Sequence, residues 1–150
     1  MPSWSETWSR ITLEAIDVPM GDDHCVIVTG GDRPHVGAVA LAQARPSLRD
    51  PSAGSATTSV LTLLGHKEDI LAHRAAQRLA SALNRNVVVC CGIHVDAISA
   101  AEMDFIDRAV DRFCERVIQA VHQRRASVSG PVPAPTPEQT QQISEIKEAL

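Results

Sequence analysis

The strongest constraint on the fold is a short stretch that separates two apolar runs of the chain. Residues Gly30–Gly37 read Gly-Gly-Asp-Arg-Pro-His-Val-Gly, and they divide the run Cys25–Val28 from the run Val36–Leu41. Paired glycines permit backbone conformations that other residues avoid, and Pro34 fixes its own φ angle. The chain must therefore turn here. A turn that only reverses the chain needs little beyond its glycines, so three ionisable side chains in this one suggest a functional site, with an ordinary hairpin as the alternative.

Around this turn, the apolar pattern predicts four strands, a helix, a fifth strand and a second helix. The predicted strands are Arg10–Asp17, Cys25–Thr29, Val36–Gln43, Thr57–Leu64 and Val87–Ile93. The first helix opens at Gly65–Asp69, and the second opens at a capping box formed by Ser99 and Glu102. Successive strands favour an antiparallel β-meander, so the expected fold class is α+β, with both long helices on one face of the sheet.

The pattern of the remaining segments sets the expected domain boundaries. Residues 1–125 are predicted to form one α+β domain. A linker rich in Pro, Ser and Ala follows at 126–136, and a short C-terminal amphipathic helix is predicted at 137–150.

Composition excludes several classes of function. Hydrophobic residues make up 44% of the 150-residue chain, enough for a folded core, whereas aromatic residues make up 3% and the formal net charge is −4. A nucleic-acid-binding protein would need a basic face or aromatic stacking platforms, so no nucleic acid partner is expected. No apolar run is long enough to span a membrane, and the first residues do not have the pattern of a secretory signal. We therefore expect a cytoplasmic protein.

The four cysteines fit that compartment. None forms a CxxC pair, and all lie in apolar segments. They are interpreted as small buried hydrophobic residues rather than as metal or redox ligands.

Two of the predicted strands have more apolar surface than two helices can cover. The strand Val36–Gln43 contains small residues, and Val87–Ile93 is apolar at almost every position. A face left bare by the helices suggests association, so the expected state is a homodimer.

Three histidines share one local pattern. His35, His66 and His94 each follow a different apolar run and lie in or beside a glycine motif, and Asp96 follows His94. Because neighbouring strand ends bring such residues together, His35, His66, His94 and Asp96 are candidate ligands of a divalent metal. The alternative is a set of hydrogen-bonded surface histidines. The other three histidines lack this pattern and are interpreted as structural: His24, His73 and His122.

Two cations flank these histidines. Arg33 precedes His35 and Lys67 follows His66, near the start of the first long helix, where a phosphate can bind. Glu68 and Asp69 would oppose an anion there unless they point away or a metal intervenes. The sequence has no Walker A motif, no GxGxxG after a strand and no GxSxG, so the common enzyme classes have no support.

Taken together, three motifs resemble a known family. The segments Val28–Ala40, Gly65–Asp69 and Gly92–Asp96, in that order, are similar to the LpdD-like prenylated flavin chaperone domains, a family typified by a small accessory protein of gallate decarboxylase. The resemblance extends from about Arg10 to about Val121. It implies a fold similar to that of proteasome assembly chaperones and a non-catalytic accessory protein. Such a protein would bind prenylated FMN, or FMN, and help to supply it to a UbiD-type decarboxylase, with a flavin prenyltransferase as a further partner.

The resemblance also supplies candidate ligand contacts without assigning a role to each. The cofactor-binding candidates are Gly30, Gly31, Arg33, His35, Gly65, His66, Lys67, His94 and Asp96. Two other functions stay open at this point. One is a small metal-dependent hydrolase or lyase that uses His35, His66 and His94 around an activated water. The other is an assembly chaperone that binds no ligand.

Overall fold

The computed structural model describes residues 1–65 and 68–128 as one sheet covered by helices. The described elements are β1 (Ser3–Trp8), β2 (Ile11–Met20), β3 (Asp23–Gly31), β4 (Ala38–Pro46), β5 (Gly54–Thr62), α1 (Asp69–Leu83), β6 (Val87–His94) and α2 (Ala100–Val128). This arrangement confirms the α+β prediction, and each of the five predicted strands and the two predicted long helices overlaps an observed element.

The connectivity departs from a simple meander. The strand order is β1-β2-β3-β6-β4-β5, so β6 lies between β3 and β4 and runs parallel to β3. Sequential strands β3 and β4 therefore do not pair with each other. The segment from β4 through α1 forms the long connection that the parallel pairing of β3 with β6 requires. A strand that is apolar on both faces suits the centre of a sheet.

The strand β1 was not predicted from the sequence, because its residues have the polar composition of a lead-in segment. An edge strand tolerates polar residues, and this one pairs with β2 along Ser3–Trp8. Its helix-facing side chains hold it in place. Nε of Arg112 in α2 donates to Oε2 of Glu6 across 2.8 Å, and the rings of Trp8 and Phe105 lie 5.7 Å apart between centroids.

Both helices cover the same face of the sheet. The helix α1 packs on β4, β5 and β6, and α2 packs on β1 and β2. Alternate residues of the central strand β3 are buried under them, including Val26 and Val28. The two helices run side by side and are joined by ion pairs such as Nη2 of Arg78 with Oε1 of Glu115, at 3.0 Å.

The opposite face of the sheet has no helix among the described residues. Its side chains come from five strands and are half-buried or exposed: Ile16, Val18, Cys25, Ile27, Val39, Leu41, Leu61, Val88 and Cys90. Leu41 is 53% exposed and Leu61 is 79% exposed. This apolar open face is the surface on which the homodimer prediction depends.

The end of α2 differs by a few residues from the predicted domain boundary. The helix continues through Ala126–Val128, which were predicted to belong to the linker. The rest of the predicted linker and the predicted helix 137–150 lie outside the described residues. Although α2 has 29 residues, no helix in the described ranges is long and apolar enough to cross a membrane.

Three residues that helical spacing places in the core are exposed instead, and one of them is Ala82 near the end of α1. Ile70 of α1 is 70% exposed and Met103 of α2 is 53% exposed. Ile70 and Met103 lie in the first turns of their helices. The core of α1 is made by small residues and two leucines: Ala72, Ala75, Ala76, Leu79, Ala80 and Leu83.

Candidate functional site

The glycine-rich loop crosses the end of β6 in direct contact with its backbone. The amide of Asp32 donates to the carbonyl of His94 across 2.6 Å, and the amide of Gly37 donates to the carbonyl of Cys91 across 3.0 Å. A Cβ at Gly92 would lie 1.7 Å from the carbonyl oxygen of His35. At Gly31, where φ is +76°, a Cβ would lie 2.2 Å from the carbonyl oxygen of His94. These glycines therefore allow the loop to approach β6 closely, which brings the first and third motifs together.

This approach joins Arg33, His94 and Asp96 in one polar group. Nη2 of Arg33 lies 2.8 Å from Oδ1 of Asp96 and 2.7 Å from Nε2 of His94. The same Nε2 lies 2.9 Å from Oδ1 of Asp96. Three of the predicted site residues thus form a cluster at the surface.

The proton on His94 has two alternative uses within that cluster. A ring nitrogen has either a hydrogen or a lone pair, so Nε2 can donate to Asp96 or accept from Arg33, but not both. The hydrogen bond from His94, assisted by Arg33, holds the pKa of Asp96 below its ordinary value. Asp96 therefore stays ionised near neutral pH, which favours the tautomer that donates to it.

Arg10 ties this cluster to α2, a connection for which the sequence contains no local signal. Its Nε donates to Oε1 of Glu102 at 2.8 Å, its Nη1 to Oδ2 of Asp32 at 3.2 Å, and its Nη2 to the carbonyl of Asp96 at 2.8 Å. The predicted capping box is confirmed, because Ser99 and Glu102 exchange hydrogen bonds at 2.8 and 3.2 Å. The hydrogen bonds from Arg10 and Ser99 lower the pKa of Glu102 to about 2.

His35 lies on the other side of the loop, against the start of α1. Its Nδ1 is 3.0 Å from the carbonyl of Arg33, which accepts, and its Nε2 is 3.2 Å from Oε1 of Glu68. The rings of His35 and His94 are 6.2 Å apart between centroids. The structure therefore brings together two of the three predicted histidines. Glu68, which is 7% exposed, joins them, although from the sequence it was expected only to oppose an anion near the start of this helix.

An apolar cleft opens beside these side chains, between the first turns of the two helices and the end of β6. Its volume is about 490 Å³. The lining residues are mostly aliphatic, with a few polar ones: Gly65, Glu68, Ile70, Leu71, Ile93, His94, Val95, Ile98, Met103, Ile106 and Asp107. The exposure of Ile70 and Met103 is explained by this cleft, because both side chains line it instead of entering the core.

The predicted metal centre does not form among the described residues. No group of three or more His, Cys, Asp or Glu side chains in residues 1–65 and 68–128 has the geometry to hold a metal ion. Among the described residues, His35 contacts Glu68 and the carbonyl of Arg33, and His94 contacts Arg33 and Asp96. His66 and Lys67, predicted to bind metal and phosphate respectively, lie outside the described residues.

The buried cysteines provide no reactive thiolate. Burial raises the pKa of Cys91 and of Cys114 to about 12, so both thiols stay protonated near neutral pH. Cys25 and Cys90 are half-buried on the open face, away from the cleft. All four cysteines are free thiols.

Comparison with known proteins agrees with these motifs. Residues 7–122 match the prenylated flavin chaperone LpdD-like domain. Protein LpdD of Lactiplantibacillus plantarum is 26% identical over 121 residues, which cover 79% of this chain and 83% of that protein. A crystal structure of a novel chaperone complex for yeast 20S proteasome assembly aligns with a TM-score of 0.49 and 16% identity, covering 79% of this chain and 95% of that one. The family match spans the glycine-rich loop, the start of α1 and the end of β6, and the chain belongs to the prenylated flavin chaperone LpdD-like family.

Proposed function

We propose that this protein is a non-catalytic chaperone that binds prenylated FMN and supplies it to a UbiD-type decarboxylase. The observation that supports this best is the apolar cleft next to the Arg33–His94–Asp96 cluster, in the region that contains the family motifs. Small-molecule sites are concave, mostly apolar and have a few polar groups that orient the ligand.

The cleft fits the ring portion of such a ligand. Its volume of about 490 Å³ falls within the range of roughly 300–1,000 Å³ that is typical for small-molecule pockets. A prenylated isoalloxazine is a broad apolar group, and side chains such as Ile70, Ile98 and Met103 offer an apolar surface for it. Polar ring atoms would meet His94 at the edge.

The phosphate would lie outside the cleft. Glu68 and Asp107 line the cleft and would repel an anion there, whereas Arg33, which contacts the lining residue His94, has a side chain that is 68% exposed. Arg33 would release Asp96 and bind the phosphate instead, and Lys67 is a further candidate for this contact.

Co-expression with a flavin prenyltransferase tests the proposal directly. The purified protein should contain prenylated FMN by mass spectrometry and should show the absorption of a bound flavin. It should not turn over small aromatic acids by itself, and it should raise the activity of a separately purified UbiD-type decarboxylase. Protein recovered without flavin, and unable to bind it in an anaerobic titration, would contradict the proposal.

Histidine variants locate the binding site. His35→Ala and His94→Ala should each weaken the binding of reduced prenylated FMN about ten- to a hundredfold, because a charge-assisted contact contributes roughly 1.5–3 kcal/mol. His66→Ala completes the series. His73→Ala is the matched control, because His73 lies within α1 and does not line the cleft. Unchanged affinity in all variants would mean that the histidines do not contact the ligand.

The open face of the sheet supports a homodimer as part of the same proposal. A second copy that packs on this face would cover Leu41, Leu61 and the half-buried valines and isoleucines around them. Light scattering at micromolar concentration should therefore report twice the chain mass. Replacing Leu41 by Glu on this face should shift the protein to monomer, whereas Leu48→Glu, at an exposed position in the β4–β5 turn, should not.

A further inference from the structure

The two edges of the sheet differ in how they are protected against pairing with another strand. The edge strand β1 includes Glu6, whose carboxylate is bound by Arg112 and Arg116 of α2. The other edge strand, β5, has nine residues, and residues 52–65 include neither a charged residue nor a proline. Exposed edge strands usually have such residues, because unpaired backbone groups at an edge recruit other chains. The outer edge of β5 is therefore open to pairing.

The ladder with β4 identifies the backbone groups of β5 that face outward. The amide of Leu63 donates to the carbonyl of Gly37 across 2.9 Å. Because successive residues of a strand direct their N–H and C=O groups to opposite sides, Thr58, Val60 and Thr62 direct theirs away from β4. No strand within residues 1–65 and 68–128 pairs with this side of β5. An added strand would meet donors and acceptors there at the usual ladder spacing.

A groove runs beside these backbone groups, between β5 and α1, with a volume of about 530 Å³. Val60 and Thr62 line it from the strand, and Ile70, His73 and Gln77 line it from the helix. Residues that pair across a ladder have their side chains on the same face of the sheet. A strand that bonds to Val60 and Thr62 therefore places alternate side chains in the groove.

The charges of the groove favour an uncharged occupant. Its two charged residues, Asp69 and Arg74, have opposite signs, and Nη2 of Arg74 is paired with Oδ1 of Asp107 at 3.1 Å. A charged side chain that entered the groove would lose solvation and compete with that pair. Strand and groove together match an extended segment that is uncharged along its length, as β5 itself is.

The groove adjoins the flavin-binding cleft of the proposed function. Ile70 lines both the groove and the cleft, whereas Val60 and Thr62 line only the groove. A protein that docks along β5 is therefore adjacent to the cleft, as the transfer of a bound flavin requires.

We propose that the outer edge of β5 and this groove bind an extended, uncharged segment of the protein that receives the flavin, by addition of a strand to the sheet. In this mode of recognition, main-chain hydrogen bonds supply affinity and pockets for alternate side chains supply specificity. The identity of the partner as the flavin receiver rests on the proposed function, but the binding of an extended segment does not.

A synthetic peptide tests strand addition in the absence of flavin and decarboxylase. The probe alternates valine and threonine, has one lysine at each end for solubility, and is titrated into the full-length protein by calorimetry. Saturable binding with a Kd below about 1 mM is expected. The valine N–H groups of this peptide lie on one edge and the threonine N–H groups on the other. Since the apolar groove prefers valine, N-methylation of the valines should weaken binding about tenfold or more, and N-methylation of the threonines should not. No binding, or binding that survives both modifications alike, would overturn the proposal.

Two lysine substitutions locate the docking site on the protein. Val60→Lys places a charge in the groove and should weaken peptide binding about tenfold or more. Ala82→Lys is the matched control, because Ala82 is exposed on α1 and does not line the groove. Neither residue lines the cleft, so both variants should bind flavin like the parent, which also shows that they are folded. Flavin-loaded Val60→Lys should nevertheless raise decarboxylase activity less than the loaded parent does. Equal peptide binding by Val60→Lys and the parent would contradict the docking site, and equal transfer would contradict the identity of the partner.

The remaining outcomes separate this inference from the proposed function and from other occupants of the edge. Flavin binding without peptide binding would overturn strand addition alone, whereas peptide binding without flavin binding would contradict the proposed function and with it the identity of the partner. A mass in light scattering that halves in Val60→Lys would assign the edge to a second copy of the chain. Peptide binding that requires removal of residues 129–150 would assign it to the C-terminal segment. Either of these last two results would overturn the proposal.

Discussion

The two ends of the sheet both have a His–Asp–Arg group, but they differ in burial. At the glycine-rich end, the side chains of Arg33 and Asp96 are 68% and 63% exposed. At the other end, Nδ1 of His24 and Nη2 of Arg124 each lie 2.8 Å from an oxygen of Asp17, which is 0% exposed, and His24 is 6% exposed. The same three residue types therefore serve different physical purposes, since water screens the carboxylate of Asp96 but not that of Asp17.

This difference in burial determines which cluster can exchange its ion-pair partners and which cluster must keep them. Exposed ion pairs contribute little to stability, so Arg33 can exchange its partner when a ligand arrives. A buried carboxylate must keep its partners, because an unpaired charge in the interior is costly. The cluster at the glycine-rich end is therefore suited to exchange, and the buried cluster is suited to a rigid arrangement of His24.

The largest effect is expected from breaking the buried cluster. Arg124→Ala leaves Asp17 without its cation, and we expect the free energy of unfolding to fall by about 3 kcal/mol in chemical denaturation. The control is Arg108→Ala, which removes only an exposed pair with Asp104 on the same helix and should change it by about 0.5 kcal/mol. Equal effects of the two changes would contradict the proposed contrast between buried and exposed pairs.

At the glycine-rich end, the next largest effect is expected from a substitution that moves the backbone and leaves the charges unchanged. Gly92→Ala forces the loop away from β6, because the new Cβ would collide with the carbonyl of His35. We expect a loss of about 2 kcal/mol in the free energy of unfolding and a clear loss of flavin affinity. Gly21→Ala serves as control, since its Cβ meets no atom within 4 Å and only the positive φ of +67° is strained. Retained flavin affinity in Gly92→Ala would separate the loop from the binding site.

Acid should affect the glycine-rich end through Glu102. Its pKa is lowered from 4.5 to about 2 in the folded protein, so the stability it contributes is fully present above pH 4.5 and is lost as the pH falls through 2. The parent should therefore be more stable than Glu102→Gln at neutral pH, and the difference should shrink between pH 4.5 and 2. Denaturation curves over this range check the trend, and a difference independent of pH would contradict it.

The smallest effect is expected from removing the C-terminal segment, residues 129–150. Removing residues 129–150 should change the melting temperature by no more than about 3 °C, because a short isolated helix contributes little by itself. Circular dichroism provides the measurement. A fall of about 10 °C would mean that this segment packs on the domain.

Local pattern determined which residues form the elements. Alternation of apolar residues predicted β2, and continuous apolar runs predicted β3 and β6. Ser99 and Glu102 indicated the start of α2 through a spacing of three residues. The glycine motifs indicated the end of the sheet at which the candidate site lies, because each motif interrupts an apolar run. All of these signals act between neighbours in the chain.

The tertiary structure alone decided which elements meet. The position of β6 between β3 and β4 follows from the crossover through α1, and no local pattern specifies it. Arg10 and Glu102 are 92 positions apart, and Asp17 and Arg124 are 107 apart. Periodicity shows that a charged residue lies on a strand or helix face, but the partner that neutralises it is set by packing. The sequence alone therefore indicated the exposed cluster, because its motifs are local. It left the buried cluster undetected, because Arg124 reaches Asp17 and His24 only through contacts across the fold.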